Sequence, residues 1–245
     1  MAGKEREMTD MDLRRRNFLK TSLGTAAVAI APGILLFDVA HGKPQAVSGK
    51  VRWGMLIDTT QCREGCNDCV TACNKENGLS ASTRPTDAQW IRKIEIKEVS
   101  TGRQVSLPMM CQHCEKPPCV DVCPTGASFK RVDGIVLVDK HLCIGCRYCM
   151  MACPYKARSF IHEPLSDQNP DVPRGKGTVE SCTMCVHRVD NGQQPACAES
   201  CTNKAILFGD LNDPESEISR KIRTVASVQV RADLGLNTGV RYQGL

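Results

Sequence analysis

Cys143-Ile-Gly-Cys-Arg-Tyr-Cys-Met-Met-Ala-Cys-Pro154 is the stretch that decides the fold of this 245-residue chain. It reads C-x2-C-x2-C-x3-C-P, a spacing that suits an iron–sulfur cubane. Three thiolates two residues apart wrap one cluster. The fourth, three residues on, turns away toward a neighbouring cluster, so groups built this way work in pairs. Three further groups flank it: Cys62/Cys66/Cys69/Cys73, Cys111/Cys114/Cys119/Cys123 and Cys182/Cys185/Cys197/Cys201. These groups use all sixteen cysteines. Four groups predict four [4Fe–4S] clusters and a protein that moves electrons.

Two other uses of cysteine compete with this one. An exported chain with sixteen cysteines could form eight disulfides, but C-x2-C is an awkward disulfide loop and the fourfold crowding is foreign to such frameworks. Structural zinc takes two C-x2-C pairs, whereas this pattern is a triplet followed by a single ligand. Iron–sulfur is the reading that uses every cysteine in its natural place.

The N-terminus carries a second signal. Arg15-Arg16-Asn17-Phe18-Leu19-Lys20 reads as a twin-arginine export motif, and an apolar stretch, Thr21 to Phe37, follows it. The stretch is short for a membrane span and has signal-peptide character, either cleaved after Gly42 or retained as a membrane tether. Folded cargo crosses by this route, so clusters can be inserted before export. The expected home is the periplasm, with the protein associated with the outer face of the cytoplasmic membrane. Residues 1–42 are therefore read as a signal peptide and 43–245 as the working domain.

The formal charge of +5 does not point to nucleic acid. The part beyond residue 42 keeps about +4. Four cubanes at about −2 each bring it to roughly −4. The sequence has no basic helix or basic-aromatic stripe.

Along the working domain, Val51 to Asp58 reads as a strand feeding the first cysteine group. Cys69 to Asn77 suits a short helix stopped by Gly78. Gln89 to Val105 reads as a hairpin turning at Thr101-Gly102, and Phe129 to Asp139 as another around Asp133-Gly134. The second hairpin joins groups two and three across nineteen residues, so those groups must lie close together. Residues 163–179 read as a loop insertion. Ala205 to Phe208 is a further strand, and Asp213-Pro214-Glu215-Ser216 a helix start leading into Ile218 to Ile222. The last twenty residues lack clear periodicity and are expected as an extended tail on this protein or a partner.

Cys111-Gln-His-Cys-Glu-Lys-Pro-Pro-Cys-Val-Asp-Val-Cys-Pro124, the Cys143 to Tyr155 run, and Cys182-Thr-Met-Cys185 with Cys197 and Cys201 together resemble a known family. They look like the four-cluster ferredoxin subunits of membrane-associated respiratory oxidoreductases, over essentially residues 51–220. Within that set, the loop before Cys182 and the Phe208 to Pro214 ending look most like the ferredoxin subunit of the Dsr sulfur-metabolism complex. The resemblance implies an α+β fold of tandem bacterial-ferredoxin-like modules with a pseudo-two-fold repeat. An inner module would span about 105–160, and an outer one about 51–104 with 179–220, before a tail over 221–245. It also implies crossed ligation. One cluster would take Cys111, Cys114, Cys119 and Cys153, and its mate Cys143, Cys146, Cys149 and Cys123. The outer pair would take Cys62, Cys66, Cys69 with Cys201, and Cys182, Cys185, Cys197 with Cys73. The partners implied are an integral membrane quinone-interacting subunit, a cytochrome c-type subunit and further redox subunits.

Two departures stand out. The first group is C-x3-C, through Arg63-Glu64-Gly65, where Gly65 can absorb the extra residue. The fourth ends Cys201-Thr202 where the pattern has Cys-Pro. Outer-sphere electron transfer needs no nucleophile or general base, so no catalytic residue is expected. His113, Arg147 and His187 lie in or beside cysteine groups, where they either tune a cluster or serve as ordinary loop residues. Tyr148 and Tyr155 read as packing shields, and Met109, Met110, Met150 and Met151 as soft fillers. A subunit of a molybdopterin enzyme would share every one of these cysteines, and a free periplasmic ferredoxin is the third possibility.

Overall fold

The computed structural model describes residues 47–80, 84–166 and 168–245, with the backbone of 29–31 and 34–35. Two units form, Met1–Lys43 and Pro44–Leu245. In the first, β1 (Ala29–Ala31) and β2 (Ile34–Leu35) pair antiparallel. The twin-arginine motif and the expected cleavage position lie outside the described residues. Among the described residues, no helix is long and apolar enough to cross a membrane.

The second unit is built around β3 (Trp53–Asp58), whose Met55, Leu56 and Ile57 are almost fully buried. Burial on both faces explains an apolar run in place of strict alternation. The four-stranded sheet has the order β10-β3-β12-β11, with β10 (Ile206–Asp210), β11 (Ser227–Val228) and β12 (Val240–Gln243). β10 runs antiparallel to β3, pairing Ile206 with Ile57 and Asp210 with Trp53. The strand that leads into the first cysteine group thus lies beside the strand that leaves the fourth. β12 pairs parallel to β3, with Val240 opposite Met55. The expected C-terminal tail is extended on this protein, but it is more than a strap. It forms an inner strand of the main sheet, with Val240 and Tyr242 fully buried.

Among the described residues of this unit, three two-stranded ribbons complete the strands. β4 (Ile91–Lys97) and β5 (Gln104–Met110) form the expected hairpin, with Gly102 at φ 72° in the turn. β6 (Ser128–Lys130) and β7 (Val136–Val138) form the second, around Gly134 at φ 89°. β8 (Ser159–Phe160) and β9 (Val179–Glu180) clasp the base of the loop insertion. That loop is pinned by Arg174, which pairs with the buried Glu180 through two hydrogen bonds of 2.9 and 2.7 Å and donates to the Gly78 carbonyl.

Short helices follow the cysteine loops. They are α1 (Asp68–Glu76), α2 (Pro118–Asp121), α3 (Tyr148–Ala152), α4 (Val186–Val189) and α5 (Ala196–Glu199). α1 packs on α5 and α2 on α3, so the helices pair in the same nested order as the cysteine groups. Helix α6 (Glu217–Thr224) starts where expected, its Ser216 hydroxyl accepting the Ser219 amide at 3.2 Å, and seats Ile218 against the sheet. The result is a mixed α+β fold of short strands and helices wrapped around cysteine-lined pockets.

Candidate metal centres

The structure gathers the thiols into four crossed sets. Cys111, Cys114, Cys119 and Cys153 line one pocket, and Cys123, Cys143, Cys146 and Cys149 another. Cys69 lies in the electrostatic reach of Cys62, Cys66 and Cys201. Cys182 stands in the same relation to Cys73, Cys197 and Cys185. Each set thus takes three thiols from one group and the last from its partner. Among the described residues, no three Cys, His, Asp or Glu side chains close on a single-ion site. The thiols surround a volume instead, which suits a many-atom core.

A repeated backbone turn aims these thiols. The residue just before the second cysteine of each group has a left-handed conformation: Gly65 (φ 73°), His113 (φ 43°), Gly145 (φ 70°) and Met184 (φ 57°). Gly65 therefore keeps the position that the other groups use, and the extra residue of C-x3-C falls at Arg63-Glu64. The Cys66 amide closes that loop onto the Arg63 carbonyl, and the Lys93 ammonium donates to the carbonyls of Arg63 and Cys66.

A second turn serves the last cysteine of the second, third and fourth groups. Gly126, Lys156 and Lys204, each three residues on, are left-handed, and their amides donate to the carbonyls of Cys123, Cys153 and Cys201. The chain then delivers an amide to sulfur: Ser128 to Cys123 Sγ at 3.3 Å, Ala157 to Cys153 at 3.5 Å and Ala205 to Cys201 at 3.2 Å. The signal is visible in the sequence as Cys-Pro-Thr-Gly-Ala127, Cys-Pro-Tyr-Lys-Ala157 and Cys-Thr-Asn-Lys-Ala205. Thr202 replaces proline without disturbing the turn. The first group continues as helix α1 and cannot make this turn. There the buried Asn77 side chain donates to Cys73 Sγ at 3.5 Å and to its carbonyl at 2.9 Å.

Burial pushes the Cys69 thiol up to about 11 and Cys111 and Cys114 up to about 12. It carries Cys73, Cys182 and Cys197 well above the ordinary thiol range. At Cys123 slight burial is outweighed by the donors on Ser128 and Thr125, and its thiol titrates low. Thiols crowded and buried in this way give up their protons to a cationic core, so the donor set fits iron–sulfur clusters.

The candidate tuning residues separate clearly. His113 is buried, and its Nδ1 accepts the Val136 amide at 3.0 Å. Burial, with the charge of Arg158, lowers its pKa to about 3, so it is neutral. Arg147 stacks over Phe160 at 3.8 Å, and His187 bonds Glu76 at 2.8 Å. Neither is seen to hydrogen-bond a thiol, although Arg147 lines the Cys143 pocket. Tyr155 lines the Cys111 pocket and donates to the Val230 carbonyl, as a shield should. Tyr148 and Met151 are exposed instead, because α3 turns them away from the core. Met109 and Met110 are buried, and Met150 packs against the cluster of Cys119, Val136, Cys149 and Val179. Arg158 and Asn77, which do reach sulfur, carry no local signal of that role in the sequence.

A 4Fe-4S dicluster domain is matched over residues 103–211. The chain is 41% identical over 264 residues to the Hdr-like menaquinol oxidoreductase iron-sulfur subunit 1 of Archaeoglobus fulgidus, covering 95% of this chain and 98% of that one. It is 38% identical to a tetrathionate reductase subunit of Salmonella typhimurium, over 96% of this chain and 90% of the relative. Protein NrfC of Escherichia coli is 38% identical over 92% of each. The chain belongs to the iron–sulfur subunits of multi-subunit oxidoreductases. As in any such subunit, bound clusters supply one-electron redox centres, and the polypeptide contributes ligands, burial and hydrogen bonds to sulfur.

In this iron–sulfur subunit the four sets follow one another as neighbours in a single order. Cys197 feels Cys69 across one junction, Cys182 feels Cys111 across the next, and Cys119 feels Cys149 across the last. The order is the Cys62 set, the Cys182 set, the Cys111 set and the Cys143 set. All eight cysteines of the two middle sets are buried. In the end sets only Cys69 and Cys149 are buried, and Cys146 is exposed.

Proposed function

We propose that the chain is an exported electron relay carrying four [4Fe–4S] clusters, each held by one crossed set of thiols. The single observation that carries this reading is the neighbour order of the sets, buried in the middle and open at both ends. Electrons enter at one end and leave at the other, between an integral quinone-interacting membrane subunit and further redox subunits. The Archaeoglobus relative, named for a menaquinol oxidoreductase, supports the quinone side. The twin-arginine motif supports a periplasmic location. The loop before Cys182 and the Phe208 to Pro214 ending favour a Dsr-type sulfur-metabolism complex with a cytochrome c-type subunit.

A second reading rests on the Salmonella relative, named as part of tetrathionate reductase. It makes the chain the electron-transfer subunit of a molybdopterin enzyme. Tagged protein purified from detergent-solubilised membranes separates the two. A multihaem cytochrome with an integral subunit supports the Dsr type, and a large molybdopterin subunit supports the second. A stable monomer in the soluble fraction overturns both. Iron analysis at about 16 atoms per chain tests the four clusters.

A further inference from the structure

Arg158 lies five residues after Cys153, where the corresponding positions after Cys123, Cys201 and Cys73 carry Ser128, Ile206 and Gly78. It is the only ionisable residue of the four. Its side chain turns inward and is 5% exposed. Nη2 donates to Cys119 Sγ at 3.1 Å and to Ser128 Oγ at 2.8 Å. The guanidinium also faces Cys149, and it lines both inner pockets. Cys119 belongs to the Cys111 set and Cys149 to the Cys143 set, so one cation bonds a thiol of the first and faces a thiol of the second.

Among the described residues, nothing else balances that charge. Among the described residues, no carboxylate forms an ion pair with Arg158, and Nη1 has no hydrogen-bond partner. A buried guanidinium without a counter-charge is strongly unfavourable. Among the described residues, other cations near the thiols serve one set each: Lys93 acts on Cys69, Lys140 on Cys143 and Arg188 on Cys185, and Arg147 lines the Cys143 pocket. At the matching place in the outer pair stands the apolar Ile206, 7% exposed.

We propose that Arg158 is a shared counter-ion for the two inner clusters, a fixed positive charge that raises both reduction potentials together. The inference rests on the reading that these sets hold clusters. Each reduction adds one electron and changes no bond or proton. A guanidinium between two sites favours the added negative charge on either of them. It also weakens the repulsion an electron on one cluster exerts on the next. The outer pair has no equivalent, so Arg158 sets the inner pair apart.

Potentiometric titration followed by electron paramagnetic resonance, with iron counted in parallel, tests this on the full-length iron-loaded protein. In Arg158→Gln, two of the four clusters become about tenfold harder to reduce, a fall of about 59 mV for one electron, and the other two stay put. Arg158→Lys keeps the charge and falls less. If the Gln variant loses iron from two clusters while the Lys variant keeps all four, the charge is needed for assembly and the proposal stands. It is overturned if the iron-loaded Gln variant shifts no potential, one, or all four. It is equally overturned if both variants lose iron alike, since the role is then packing. A wild-type protein without iron sinks the cluster reading itself, and iron analysis decides that before any variant is made.

Discussion

Asn77 does for the first cysteine group what a backbone amide does for the other three. Helix α1 runs on past Cys73, so no left-handed turn can bring an amide back to that sulfur, and the carboxamide takes its place at 3.5 Å. Hydrogen bonds to sulfur stabilise the reduced, more negative state of a cluster. Asn77→Leu removes one at nearly constant volume. A net loss of about 1 kcal/mol corresponds to roughly 40 mV for one electron. Only the cluster of the Cys182 set should shift, and a potentiometric titration of wild type and variant reads it. Unchanged potentials would show that the contact merely caps the helix. At this scale the thiols themselves were legible, because ligand spacing is a local property of the chain. The Cys-x-x-(Gly/Lys)-Ala turn also stands in the sequence, once it is known what the turn delivers. Arg158 was not legible. It lies outside every cysteine group, and its contact with Cys119 spans 39 residues.

The last strand shows where local pattern fails at the level of elements. Val240-Arg-Tyr-Gln243 alternates apolar and polar residues, but four residues are too few for periodicity to be read. Its placement depends on a parallel partner, β3, nearly the whole domain away. Hairpins β4–β5 and β6–β7 were legible because turn and partner strands adjoin in sequence. The sheet admits β12 because Gly54 leaves room. A Cβ there would meet the Gly239 carbonyl oxygen at 2.5 Å. Tyr242 then anchors the strand, its hydroxyl donating to the Pro108 carbonyl at 3.1 Å and accepting from Gln112 Nε2 at 3.0 Å. Tyr242→Ala empties a fully buried site and should cost about 3–5 kcal/mol. Tyr242→Phe keeps the ring and should cost roughly 1–3 kcal/mol through the stranded Gln112 amide. Urea unfolding of the iron-loaded protein measures both. A near-neutral alanine variant would mean that β12 contributes little to the fold.

Over the whole molecule, burial follows the order of the sets. The crossed cysteines tie residues near 62 to residues near 201, and β3 pairs with β10 beside them, so the two ends of the outer module meet. The nesting was legible from ligand spacing and the short link between groups two and three. The order of the sets was not, because its central junction, Cys182 against Cys111, is purely tertiary. That junction puts the Cys182 and Cys111 sets inside and leaves the Cys62 and Cys143 sets at the ends, with Ile144, Tyr148 and Met151 exposed around the latter. Buried centres are shielded from solutes but remain within reach of their neighbours in that order. A soluble paramagnetic complex should therefore enhance the relaxation of two cluster signals and spare the other two. Cys146→Ser should alter one of the sensitive pair, because Cys146 is exposed where the other fifteen thiols are buried or half-buried. Cys182→Ser should alter one of the protected pair. Equal enhancement of all four signals would overturn the order, as would finding the Cys182 cluster among the sensitive ones.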